Sequence, residues 1–220
     1  MAYFTQDYLN FFAELSENNH KDWFDENRKR YKSTVKDPFS NFVAAVIDKV
    51  AAIDPTIALT PKDAIFRINR DIRFAKDKTP YKTNNSAIIS RGGRKDKSTP
   101  GLYFELSHER VRVYGGVYMC ERSLLHRIRE EIAKDTTGFR KVLNDKGFKK
   151  VYGEIHGEKN KVIPKEFKEI GASEPLIYNK QFYYFTEMNA DNILADDLDE
   201  KIIECYRAAT PVREFLLRAF

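Results

Sequence analysis

Six cations, Arg67, Arg70, Arg73, Lys76, Lys78 and Lys82, crowd into FRINRDIRFAKDKTPYKTN, Phe66 to Asn84, against two carboxylates, Asp71 and Asp77. Guanidinium and ammonium groups at that density suit the holding of phosphate or carboxylate oxygens through charge-assisted hydrogen bonds. Spacing narrows the choice of ligand. A strand rises about 3.3 Å per residue, so Arg67 and Arg73 stand about 20 Å apart along one and cannot share a phosphate. Either an extended polyanion tracks the segment, or the arginines are tied to carboxylates of the fold. Arg70 falls on the apolar parity, where a buried charge needs a partner, and is read as structural. The loop that follows folds back to gather Lys76, Lys78 and Lys82, with Pro80 stiffening the turn. Tyr81 beside them either offers a ring to a base or sugar, or packs down as an anchor.

The expected anion-binding set is therefore Arg67, Arg73, Lys76, Lys78, Tyr81 and Lys82, extended by Arg91, Arg94 and Lys95, with a nucleic acid or another polyanion as the partner. The alternative is an enzyme acting on a phosphorylated or carboxylated substrate. The same cations would then clamp the substrate, and Asp71, Glu105 or Tyr81 would move the proton. No catalytic residue can be assigned from the sequence. RGGRKDK, Arg91 to Lys97, lacks the order and setting of a phosphate loop and reads as a surface turn. His20, His108, His126 and His156 are scattered, and Cys120 and Cys205 have no ligand partner at metal spacing. A metal-dependent phosphodiesterase would want Glu-x-Lys where the chain has Glu105-Leu106-Ser107. A nucleophile elbow is also missing. Neither a metal nor a cofactor is expected.

The charge is local. Of the 38 cations and 33 anions that give a net +5, ten Lys and Arg lie between residues 66 and 97 against three Asp, so the rest of the chain is slightly acidic. Glu187 to Glu204 runs the other way, with seven acids and one Lys. With 42% hydrophobic residues, 13% of the chain being aromatic, there is apolar surface enough for a core, which argues against disorder. The N-terminus does not read as a signal peptide and no apolar run reaches the roughly 18 residues a membrane helix needs. Two isolated cysteines suit a reducing compartment, so a cytoplasmic protein with no membrane partner is expected. Oligomeric state is not legible.

The elements that must position these residues follow from periodicity. Thr5 caps a helix carrying Tyr8, Phe12 and Leu15, broken at Asn18-Asn19. A second amphipathic run carries Trp23, Asn27, Tyr31 and Val35, and Asp37-Pro38 reads as the start of a third helix. After Pro61 the period changes to two: Ile65 to Phe74 alternates as a half-buried strand with Phe66, Ile68, Ile72 and Phe74 inward. The runs 101–106 and 110–114 pair as an antiparallel hairpin, and 181–186 gives a further strand. A helix is expected at Leu124 to Ile132, a short one at Phe139 to Leu143, and two more at 197–208 and 211–219. Long loops are expected at 75–86, 91–100 and 153–175. The order specifies an α+β fold, a mostly antiparallel sheet with an N-terminal helical segment and C-terminal helices, as one domain over residues 1–220.

Four segments together, NNHKDWFDENRKRY, RDIRFAKDKTPYKTN, YGGVYMCERSLLHRIREEI and the closing ATPVREFLLRAF, resemble a widespread bacterial and fungal family known as a domain of unknown function. The resemblance covers nearly the whole chain. It implies one domain and no established activity, and so brings no catalytic residues with it.

Overall fold

Apolar residues at every second position commit a strand to one buried face, and GLYFELS and RVRVYGGV have that pattern. In the computed structural model, which describes residues 2–96 and 98–220, they form the centre of a four-stranded antiparallel sheet. Its strands β1 (Asn84–Ile89), β2 (Leu102–Ser107), β3 (Arg110–Val117) and β4 (Phe182–Asn189) lie side by side in chain order. The expected hairpin is β2–β3, in register from Tyr103 opposite Tyr114 to Leu106 opposite Val111. Ala87, Ile89, Leu102, Phe104, Leu106, Val111, Val113, Phe182 and Tyr184 point inward and are buried.

Helices cover only that inner face. The helix Asp37–Ile53 brings Phe42 edge-on to Phe104 at 5.7 Å, and Lys146–Tyr152 brings Phe148 and Tyr152 to Tyr184 at 5.2 and 4.7 Å. Gln6–Glu17, Arg122–Lys134, Thr136–Leu143, Leu198–Ala208 and Thr210–Leu217 complete the layer around one continuous apolar cluster. Each large apolar side chain so buried contributes about 1.5–3 kcal/mol. The α+β class expected from the sequence is the class observed.

Two expectations need correction. Asp37-Pro38 does open the α-helix Asp37–Ile53, but Asp37 is not a free N-cap: the chain is already helical from Arg28, and Asp37 has helical torsions. Pro38 has no N–H to give and its ring would strike the carbonyl four residues back, so the preceding turns, Tyr31–Lys36, widen to a π-helix in which Asp37 N–H donates to Lys32 O. The second correction concerns Ile65 to Phe74. It is an irregular edge segment that touches the chain beside it at two bridges, Ile65 to Ala87 and Asn69 to Tyr81. Those bridges are four residues apart on one side and six on the other, so the partner bulges and the alternation cannot hold. Ile68 is buried as expected, whereas Phe74 is 94% exposed at the tip of the turn. The supposed loop 75–86 supplies the start of β1.

Both edges of the sheet are thereby covered. The 65–70 segment lies along β1, where Phe66 N–H donates to Ser86 O, and His156 pairs with Tyr183 of β4 through two backbone hydrogen bonds. Among the described residues no helix is long and apolar enough to cross a membrane.

Candidate functional site

Among the described residues the sheet's outer face carries no helical layer, and the strand register sorts its side chains into rows. One row is polar: Ser86, Glu105, Arg112 and Glu187 stand opposite one another across all four strands. The next is Ile88, Tyr103, Tyr114 and Phe185, aromatic on three strands. Tyr103 meets Tyr114 edge-on at 5.6 Å, and Tyr114 stacks on Phe185 at 5.4 Å. From the neighbouring rows Phe66, opposite Ser86, meets Tyr103 edge-on at 5.9 Å, and His156, opposite Tyr183, brings its ring 5.1 Å from Phe185. Beyond it Gly116 stands opposite Tyr183, which Tyr118 meets edge-on at 5.4 Å.

With no side chain at Gly116 or at Gly101, a half-open cavity of about 560 Å³ results, lined by Ile88, Gly101, Tyr103, Glu105, Tyr114, Gly116 and Tyr183, with Phe66 and Lys82 at one side. Gly116 has φ +87, and a Cβ there would lie 2.2 Å from Phe182 O, so only glycine fits. Gly115 serves the other face, where a Cβ would lie 2.4 Å from the Tyr184 ring.

Inside the cavity the Tyr103 hydroxyl donates to Glu105 Oε1 at 2.7 Å. Burial, and then the charge of Glu105, push the Tyr103 phenol well above its ordinary range, so it stays a neutral donor at physiological pH. Tyr114 is raised for the same reasons in the same order. Arg112 Nε donates to Glu187 Oε1 at 2.6 Å, and that bond holds the Glu187 carboxyl below its usual value. This is a concave aromatic surface with a fixed carboxylate and a fixed hydroxyl, able to enclose a flat ring and bond to its edge.

The sequence-predicted residues fall in three places. Arg67 and Lys76 are exposed. Arg73 is also exposed but forks onto Asp71 with hydrogen bonds of 3.0 and 2.7 Å, and Lys78 donates to Ile72 O at 2.9 Å, which ties the turn to itself. Arg70 is structural as expected, donating to Asp77 and to Thr79. Tyr81 resolves to the anchor: its ring is buried and stacks on Phe24 at 4.1 Å, so it offers no face to a base. Asn19 clamps the Tyr81 backbone from both sides, accepting from its N–H at 3.1 Å and donating to its carbonyl at 3.0 Å. Lys82, one residue on, emerges on the opposite side and sets its ammonium 5.3 Å from the Phe66 ring, at the edge of the cavity.

Of the proposed extension, Arg91 donates to Thr56 Oγ1 at 2.9 Å and Arg94 and Lys95 lie in a short 3₁₀ turn; the last residue of RGGRKDK, Lys97, lies outside the described residues. Of the candidate proton-transfer groups only Glu105 lies in the cavity; Asp71 is on the exposed turn. Cys120 and Cys205 are unpaired thiols, both pushed up to about 11 by burial. Among the described residues no three His, Cys, Asp or Glu side chains cluster as metal ligands.

Sequence reasoning passed over Tyr103, Tyr114, Tyr183 and Phe185. Their signal was on the outward parity of the strands, which in a solvated sheet is polar and here is aromatic in three strands.

An antiparallel sheet with helices on one face and an aromatic cavity on the other places the chain among α+β proteins that keep a sheet face open. It belongs to the family described as conserved hypothetical protein (DUF2461), whose profile matches residues 7–215. A comparison with curated proteins finds no match.

Proposed function

We propose that the chain is a single cytoplasmic α+β domain that binds a polyanion, with a single-stranded nucleic acid as the best-fitting class. The observation that carries this reading is the position of Lys82: the last cation of the basic segment stands where the turn meets the aromatic cavity. Backbone phosphates would run along Arg67, Arg73, Lys76, Lys78 and Lys82, with bases turned toward the rings of the sheet. Stacking on aromatic side chains beside a cationic track is how unpaired strands are held without a groove to read. Duplex DNA would present its phosphates but keep its bases from the rings.

The test is anisotropy titration of a labelled single-stranded oligonucleotide across a salt series. Each phosphate contact should contribute about 0.7 to the slope of log affinity against log salt, so Arg67→Ala and Lys76→Ala, both at exposed positions, should each lower it by about that amount with the melting temperature unchanged. Absence of saturable binding at about 150 mM salt, or slopes unchanged in both variants, refutes the reading.

The Tyr103–Glu105 hydrogen bond inside the cavity favours a second reading, an enzyme with Glu105 as the proton acceptor. Under it, a small phosphorylated or carboxylated compound stabilises the chain thermally and oligonucleotides do not compete.

A further inference from the structure

The cavity's floor, walls and one charge define a ligand more narrowly than a polyanion. Its floor at Gly101 and Gly116 is bare backbone, so a flat molecule can lie close against the sheet. Rings enclose it: Tyr103 and Tyr114 from the aromatic row, Tyr183 and the exposed Tyr118 from the far side. At one end stands Glu105, whose carboxylate is oriented by the Tyr103 hydroxyl at 2.7 Å. A volume of about 560 Å³ is of nucleotide size.

We propose that this cavity is a nucleobase site selective for a ring bearing an exocyclic amino group, with Glu105 accepting from the amino N–H and the tyrosines enclosing the ring. This rests on the polyanion reading for its phosphate side only, and deepens it by naming the base. An ionised carboxylate accepts hydrogen bonds and donates none. Cytosine and adenine present an amino donor to it, whereas uracil and thymine place a carbonyl oxygen at the corresponding position, and two acceptors repel. Tyr103 cannot repair the mismatch, because its proton is committed to Glu105.

Calorimetric titration of the whole chain with cytidine and uridine tests this without phosphate, and so without the cations of the turn. Cytidine should bind at least about tenfold more tightly than uridine. Glu105→Gln keeps an oxygen for the Tyr103 hydroxyl but adds donors, and should bring the two nucleosides to within about twofold of each other. Tyr118→Ala should weaken both nucleosides equally and leave the melting temperature unchanged, because that ring is 63% exposed. Equal binding of the two nucleosides by the wild type, or no nucleoside binding where oligonucleotide binding persists, overturns the base site and leaves the polyanion reading standing. Nucleoside discrimination without any oligonucleotide binding supports the base site and refutes the polyanion reading. A Glu105→Gln chain that melts like the wild type and keeps full discrimination removes Glu105 from the role.

Discussion

The basic turn and the outer face of the sheet meet at Lys82 and are built on opposite plans. In the turn, charged groups are held by neighbours a few residues away: Arg73 by Asp71, Arg70 by Asp77 and Thr79, Lys78 by the carbonyl of Ile72. On the sheet the ring contacts join strands distant in sequence, as with Phe66 and Tyr103, or Tyr114 and Phe185. A local network closes at small entropic cost and specifies a shape for the turn. A cross-strand row exists only once the register is set, and it can then hold aromatic rings at a half-exposed surface that a short loop has no means to support. Charge density in the sequence therefore marks the turn, and the assembled sheet alone sets the aromatic row beside it.

The sharpest way to break this contrast is at Tyr81, the residue shared by the basic motif and the core. Tyr81→Ala removes a buried ring stacked on Phe24 and should cost about 3–4 kcal/mol in urea unfolding. A variant that keeps its stability and loses oligonucleotide affinity would return Tyr81 to the ligand and dissolve the division between anchor and site.

A somewhat smaller effect is expected where the turn joins the sheet. Ile68 is buried and its neighbour Asn69 exposed. Ile68→Asp should destabilise by about 3 kcal/mol, while Asn69→Asp stays within about 0.5 kcal/mol. Similar losses in the two variants would mean that the segment does not present one face to the core.

The smallest effect sharpens the local side of the comparison. Asp77 is lowered from 3.8 to about 2, first by the Thr79 backbone N–H and then by the Arg70 and Thr79 side chains. A carboxyl depressed in the folded state stabilises fully above its unfolded pKa and loses that contribution as pH falls through the folded one. The melting-temperature gap between wild type and Asp77→Asn should therefore be constant above about pH 5 and close between about pH 4 and pH 2. Because Asp77 is exposed, the gap should be small and should shrink in high salt. A gap that persists undiminished at about pH 2 would mean that the turn is not held by that carboxylate.

Residue pattern by itself determined what depends on near neighbours. Period-two runs specified the β2–β3 hairpin and β4, helical spacing specified the N-terminal and C-terminal helices, and the parity of Arg70 specified a structural partner for it. Each of these rests on interactions that repeat within a few residues. Tertiary structure decided the rest. The alternation of Ile65 to Phe74 looked like a regular strand, yet pairing ends at Asn69 and the chain turns away, leaving Phe74 exposed at the tip. Whether Tyr81 faced a ligand or packed down stayed open in the sequence; Asn19 and Phe24, some sixty residues earlier, draw it inward. The cavity was the least legible feature. Its lining comes from six separate stretches of chain, Phe66, Lys82 to Ile88, Thr99 to Glu105, Tyr114 to Gly116, Tyr118-Met119 and Tyr183, none of them unusual alone. A strand's sequence says which side chains share a face but not which strand lies beside it or at what offset, and that offset alone puts Tyr103, Tyr114 and Phe185 in one row and Gly116 opposite Tyr183 in the next.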